Sequence, residues 1–524
     1  MTWFQLLLFI LLINLIHGLG TWNLYVKANK KAIDAFIPVY NGIQLMDIIN
    51  RPKWWVILLF IPVVNLIMFP VVWVETLRSF GKTSTADTLL GIFTLGLYVA
   101  YVNYTQDVKH RPDRSTKAPN EAGETISSVV FGVIIATIIH SYAIQPFTIP
   151  TSSLEKTLLV GDFLFVSKLN YGAKTPQTPI AFPMVHDTIP VIKTKSYLSK
   201  PQLPKFRFPG FQKPEYNDIV VFNWPTDTVY QFFDKSKRHV NKPLDKRSNY
   251  VKRLVGKPGD DFSIKNGVVY VNGKVLGLGD RAKIQYAYYV DIEPGTRLDG
   301  QKLFFEMDID QNSVGQVSEN RLIFQSLTDE NAALISKMPG VKNIEKANNV
   351  GIEYTRDYKK AIFPHNQNWS ADNLGPIHIP AKGEVVTLTT ETLPLYKRII
   401  EIYEGNDLKV EDGKIFINGH LTTQYEIQQD YYYMMGDNRH ASEDSRYWGF
   451  VPEDHIVGTP VLIWMSWDGQ KEKLFDKIRW ERIFTTVHGS GQPRSYGFIV
   501  LIALVAWAGY SVVKWRKGKK EYYN

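Results

Sequence analysis

Three stretches of the chain concentrate the residue types that can break a peptide bond without a cofactor. The first, Gln145–Asp162, holds Thr151, Ser152 and Ser153 beside two prolines. The second, Asn249–Asp260, places Lys252 among bulky neighbours in Tyr250-Val251-Lys252-Arg253. The third, Met435–Glu453, is dense in Asp437, Asn438, His440, Ser442, Asp444 and Arg446. A hydroxyl becomes a useful nucleophile only when a neighbouring base takes its proton. Lysine can be that base only when neutral, and at its ordinary pKa of about 10.4 roughly one molecule in a few thousand is neutral at pH 7. Burial among apolar groups disfavours the ammonium and lowers that pKa by several units. Other chemistries lose their carriers: there are no cysteines, and the eleven histidines form no H-E-x-x-H. No G-x-S-x-G elbow, phosphate-binding loop or Gly-rich dinucleotide turn occurs either. Taken singly, these residues have plain alternatives. A serine beside proline forms turns, a strand lysine is solvated, and Asp437, Asn438 and Asp444 satisfy loop backbone.

The elements that must position these groups divide into membrane and soluble parts. The 524 residues are 45% hydrophobic and 21% charged, enough for two or three folded units. Apolar runs crowd the first 145 residues and the last 30. Five are candidate spans: Trp3–Leu19, Trp54–Val74, Ala86–Val102, Thr125–Ala143 and Tyr496–Val513. Pro62, Asn65 and Pro70 interrupt the second and Asp87 stands at the start of the third. The first lacks a preceding basic residue and a following A-x-A site, so it reads as a retained anchor. Basic residues cluster at Lys27–Lys53, Lys109–Lys117 and Lys514–Lys520, which by the positive-inside rule face the cytoplasm. The N-terminus and the region from about Gln145 to Ser495 then lie outside and the C-terminal tail inside. The net charge of +9 therefore reads as topology, and no nucleic-acid partner is expected. The outside region is β-rich, with strands expected at Phe163–Lys168, Asp218–Phe222, Gly267–Val271 and Lys414–Ile417. Lys174–Pro214 reads as an irregular excursion rich in proline and lysine. An echo runs through it: Asn217–Phe222, Tyr250–Val255 and Asn266–Gly273 resemble, in order, Gly383–Leu388, Tyr396–Ile400 and Asp412–Gly419. Either a strand-and-hairpin unit is partly duplicated or two hairpins share turn chemistry.

The three islands resemble the type I signal peptidases of bacteria, whose motifs are P-S-x-S-M-x-P-T-L, Y-[IV]-K-R-x-x-G-x-P-G-D and G-D-N-R-x-x-S-x-D-S-R-Y-W-G. The third island matches nearly throughout, and the likeness covers about 150 residues in blocks between Pro146 and Gly458. It implies a membrane-anchored protein with about five transmembrane helices and a large, mainly β exported catalytic domain of antiparallel sheets carrying a β-rich insertion. It also implies that Ser153 is the nucleophile of a serine endopeptidase, Lys252 its general base, and Ser442 the hydroxyl that hydrogen-bonds the lysine. Thr151 would help the backbone N–H of Ser153 receive the oxyanion, while Asp444 and Arg446 support the third block. The pocket would be built from Ile149, Pro150, Leu158, Leu164, Val221, Tyr250 and Val251. Leu154 stands where the family has Met, a volume-conserving change, and Lys156 where it has Pro. Lys397, in a similar Tyr-Lys-Arg setting, and Ser152 are rivals for the two roles, and His440 reads as a satisfied loop residue.

The resulting organisation is a membrane region 1–124, an anchor 125–145, a catalytic core in two parts, 146–286 and 430–495, an insertion 287–429, a span 496–513 and a basic tail 514–524. The expected activity is removal of signal peptides at the outer face of the cytoplasmic membrane. No cofactor is implied. The expected partners are preproteins, the bilayer and the export machinery.

Overall fold

The computed structural model describes residues 1–117, 120–229, 239–347 and 362–523. The side chains beyond Trp515, among them Arg516, Lys517, Lys519 and Lys520 of the tail, lie outside the described residues. The chain forms two compact units. One comprises Met1–Ile144, Gly172–Pro209 and Asp227–Ser248; the other comprises Gln145–Tyr171, Gly210–Thr226 and Asn249–Asn524.

Among the described residues three helices are long and apolar enough to cross a membrane: Trp3–Lys27, Glu121–Ala143 and Gly497–Trp515. The expected count of about five is not met, because the second and third runs are broken. The second becomes a short helix, Trp55–Leu58, and a separate one, Val64–Ser79. The cause is a repeated turn. Ile61-Pro62-Val63-Val64-Asn65 copies Ile37-Pro38-Val39-Tyr40-Asn41, and in each the valine takes a positive φ (71° and 66°) immediately before a helix starts. A β-branched residue there is strained by about 1–3 kcal/mol, so the surrounding packing must enforce it. The third run is two helices, Thr85–Phe93 and Leu97–Thr105, bent by 119°. Leu95 and Gly96 turn the chain with φ of 51° and 84°, and a side chain at Gly96 would strike the Trp73 indole at 2.6 Å.

Basic residues gather in this unit around one buried carboxylate. Glu75 binds Arg51 Nε at 3.0 Å and Arg114 Nη2 at 2.6 Å, with Arg78 at 3.5 Å. Arg114 also donates to Ser79 and to the carbonyl of Ile49. At the same end, Lys27 donates to the carbonyl of Gln106. Residues of the first two charge clusters read from the sequence are thus brought together in space.

The second unit carries an eight-stranded sheet. Its order is Ile144–Thr148, Asp162–Ser167, Ile456–Ser466, Ile219–Asn223, Asn249–Gly256, Tyr431–Met435 and Val451–Pro452, with Thr485–Thr486 paired beside Ile456–Ser466. Four expected strands appear within a residue or two of their expected bounds, at Asp162–Ser167, Ile219–Asn223, Val268–Val271 and Lys414–Ile417. Apolar side chains from one region of this sheet, including Leu154, Leu158, Leu164, Ile219 and Val221, form one core. A second core joins residues 255–271 to 362–450. Gln285–Ile292, Val314–Ser318, Arg321–Thr328 and Val341–Lys346 form a four-stranded sheet with a core of their own.

The echo resolves into two matching meanders. In one, Phe262 faces Val271 and Lys265 faces Val268; in the other, Leu408 faces Ile417 and Glu411 faces Lys414. Asn266-Gly267 and Asp412-Gly413 make the turns, every residue with positive φ as a two-residue hairpin requires. Side-chain carbonyls repeat too: Asn272 accepts from the N–H of Asp261 as Asn418 accepts from that of Asp407. The middle of the echo does not repeat. Asn249–Gly256 is a strand, whereas Leu393–Arg398 is helical.

Candidate active site

The sheet order places Asn249–Gly256 between Ile219–Asn223 and Tyr431–Met435, so this strand is paired along both edges. Lys252 lies opposite Val220, and Val251 opposite Val221. Interior pairing buries the lysine, which is 3% exposed. Its pKa is lowered to about 8, mainly by burial, while the charges of Asp444 and Glu443 pull it partly back up.

Ser153 sits in a single 3₁₀ turn, Ser152–Leu154, and is 6% exposed. Lys252 Nζ stands 2.7 Å from Ser153 Oγ in hydrogen-bond contact. A buried amine with a lowered pKa thus touches a buried hydroxyl, the pairing that general-base activation of serine needs. Leu154 is fully buried in the core beside the turn.

The third island holds the Ser152–Leu154 turn through hydrogen bonds. The backbone N–H of Asn438 donates to the carbonyl of Ser153 at 3.1 Å. The Asn438 amide donates to the carbonyl of Ser152 at 3.2 Å, and its oxygen accepts from Ser326 at 3.0 Å. Gly436 passes so close that a Cβ would lie 2.2 Å from Ser442 Oγ and 2.6 Å from the carbonyl of Ser153. Asp437 is buried and takes both Arg253 Nε (2.7 Å) and Nη2 (2.6 Å), together with the Thr157 hydroxyl (2.7 Å). Burial alone would raise its pKa; the Arg253 charge and hydrogen bonds outweigh that and hold it low. Asp444 is likewise buried. Arg446 binds it through Nε and Nη2, both at 2.8 Å, and the N–H of Gly436 donates to it at 3.0 Å. Its pKa is lowered in the same way, against the effect of burial. A buried ion pair of this kind is costly to break from one side.

Ser442 is buried near Asp444, and among the described residues its hydroxyl is not bonded to Lys252, so the expected contact is not formed. Thr151 is exposed just before the turn. Of the expected pocket residues, Ile149, Leu158, Leu164 and Val221 come together in one core with Val251 packed against it. Tyr250 belongs to a neighbouring cluster, stacked on Trp224 at 5.0 Å and edge-on to Trp448 at 5.3 Å, and Pro150 is exposed. The rival Lys397 is exposed on a helix. His440 is structural: its Nδ1 accepts from the N–H of Ala287 at 2.9 Å, so Nε2 carries the proton that it donates to Asp372.

Arg253 and Ser326 were not singled out from the sequence. Arg253 directly follows Lys252, and a strand's alternation, which turns neighbours to opposite faces, was the available signal. Ser326 lies in the insertion with no local signal at all. Glu155, two residues from Ser153, is pushed up to about 7 by burial.

The family model described as "Signal peptidase, peptidase S26" matches residues 122–322 and 420–467, leaving 323–419 outside the match. A family of unknown function (DUF5684) matches 33–111, the segment with the repeated turn. A protein named Signal peptidase I from Haemophilus influenzae is 25% identical over 378 residues, 70% of this chain and 76% of that protein. Proteins of the same name from Helicobacter pylori and Pseudomonas aeruginosa are 23% identical over 376 residues and 24% identical over 362. Those alignments take in 92% and 74% of the relatives' lengths, and 69% and 67% of this chain.

Proposed function

We infer that the chain belongs to the S26 signal peptidase family and is a serine endopeptidase that removes signal peptides from exported preproteins. The observation that carries the reading of its mechanism is the 2.7 Å contact between the buried Lys252 amine and the buried Ser153 hydroxyl.

In this mechanism the neutral amine of Lys252 takes the proton of Ser153 as Oγ attacks the scissile carbonyl. The resulting ammonium gives that proton to the leaving nitrogen, and the acyl-enzyme remains. The same amine then deprotonates a water, which releases the product and restores the serine. The N–H of Ser153 and the hydroxyl of Thr151 receive the oxyanion, a good donor being worth about 3–4 kcal/mol in such a site. The substrate binds as an extended strand. Shallow pockets formed by Ile149, Pro150, Leu158, Leu164, Val221, Tyr250 and Val251 admit small side chains at the first and third positions before the cut.

Only nine residues separate Ala143, where the second long apolar helix ends, from Ser153. That short tether keeps the dyad near the outer leaflet, where a signal peptide emerges from the bilayer, with the export machinery delivering it. The site faces a periplasm and the tail faces the cytoplasm.

Cleavage of a reporter preprotein by the full chain in liposomes tests the mechanism. Ser153→Ala and Lys252→Ala are each expected to abolish cleavage while leaving the fold intact by circular dichroism. Cleavage persisting in either variant would remove the dyad.

A further inference from the structure

The segment Gly172–Pro209 forms a long irregular hairpin in the same unit as the first two apolar helices. Its two arms are laced from base to tip. Near the base the N–H of Thr175 donates to Phe206 and that of Phe208 to Ala173; toward the tip Leu198 donates to Ile180, Phe182 to Ser196 and Ile189 to Thr194. Behind it, the Lys195–Asp187 pair (2.7 Å) is extended by the buried Lys242 to Asp227. Thr178 also binds Asp245 at 2.7 Å.

The hairpin is sided. Ala181 bridges Tyr197, and Ala181 is buried while Lys246 lies over the Tyr197 ring at 5.4 Å. Beside this bridge Ile180, Phe182 and Leu198 are exposed. At the tip Val191 is 89% exposed and Ile192 62%. Large apolar side chains exposed together on one segment mark an interaction surface more often than a free one. The segment also holds six basic residues and a single acid, the mixture that suits a lipid interface, where lysine stems lie along apolar surface and their charges reach headgroups.

Its place in the unit identifies the partner. Trp3, at the start of the first span, meets Phe206 edge-on at 6.3 Å, and the N-terminal amine donates to the carbonyl of Gln202. Tyr142, at the end of the second, meets Phe208 at 6.1 Å. The hairpin base therefore sits at the ends of two spans, the end opposite Lys27 and the basic cluster. We propose that this hairpin lies in the outer leaflet's interface, with the Ile180, Phe182 and Leu198 face and the Val191-Ile192 tip against lipid, and that it helps to seat the chain on the membrane. The proposal rests on the outward orientation given above.

Because the chain has no cysteine, Phe182→Cys, Ile192→Cys and Leu198→Cys in the full chain each take one environment-sensitive dye. In vesicles of phosphatidylethanolamine and phosphatidylglycerol the dyes are expected to emit at shorter wavelength and to be quenched by lipids carrying a nitroxide on the acyl chain. Emission as in water, unaffected by the nitroxide, would overturn the proposal. So would a shift that follows protein density and ignores the nitroxide, which would mean a second copy covers the face. This readout needs no cleavage, so it stands or falls separately from the peptidase reading. In the second arm, Val191→Asp with Ile192→Asp is expected to slow cleavage of a membrane-inserted preprotein several-fold while leaving a short soluble peptide unaffected. Equal loss on both substrates would count against it.

Discussion

At the scale of single residues, the proposed mechanism makes Lys252 the group that sets the working pH. With its pKa at about 8, the rate constant for the free enzyme is expected to rise about tenfold per pH unit below that value and to level above it. A pH profile of kcat/KM checks this; a flat profile from 6 to 9 would mean another group limits the reaction. The same shift bears on stability. The folded-state pKa lies below the unfolded value, so between about 8 and 10.5 the unfolded chain holds a proton that the folded one has shed, and stability rises with pH across that window. Behind the dyad, Ser326 acts only through Asn438, whose amide meets the carbonyl of Ser152. Removing one hydrogen bond of this kind costs about 1 kcal/mol, or roughly fivefold. Ser326→Ala is accordingly expected to lower kcat by that order and leave KM unchanged, and Ser326→Thr to restore it. A change confined to KM would show that Ser326 does not position the nucleophile.

Elements impose constraints that no single residue carries. The nucleophile turn leaves through Lys156 with φ of 66°, a conformation closed to proline, whose ring fixes φ near −65°. This explains why the family's usual proline is not simply interchangeable with Lys156 here. The lysine also reaches Asp308, itself at positive φ, and so ties the insertion to the turn. Lys156→Pro is expected to destabilise the fold by upwards of about 1 kcal/mol and to cost activity, whereas Lys156→Gly should keep the backbone and most of the cleavage. Thermal melts beside cleavage assays decide it; a proline variant that melts no lower would refute the turn. The two echoed lysine segments differ for a related reason. Tyr250-Val-Lys-Arg is a strand because Ile219–Asn223 and Tyr431–Met435 flank it, while Tyr396-Lys-Arg, in an element with no ladder on either edge, is helical. Partners far along the chain outweighed local resemblance.

For the whole molecule, topology follows from counting crossings. With three spans, an outside N-terminus puts residues 28–120 inside, the peptidase outside and the tail inside, the same orientation that five would give. Were the bent pair Thr85–Phe93 and Leu97–Thr105 a fourth crossing, the peptidase would face the cytoplasm. A membrane-impermeant maleimide applied to intact spheroplasts is therefore expected to label Lys414→Cys and to spare Asp107→Cys until the membrane is opened. The reverse pattern would invert the topology.

The sequence by itself supplied the signal-peptidase resemblance, the candidate pair Ser153 and Lys252, four strand positions and the β-rich character of the region between the anchor and the last apolar run. Each rests on local information: an uninterrupted motif, a period of two, or turn residues such as Asn266-Gly267. Only the tertiary structure decided which apolar runs are continuous helices, since the strained Val63 and the Leu95-Gly96 bend are enforced by packing. It also decided that Ser326, some 110 residues before its partner Asn438, backs the nucleophile, and that the echoed lysine is exposed while Lys252 is buried. Burial is a property of neighbours distant in sequence, and on burial depends the uncharged amine.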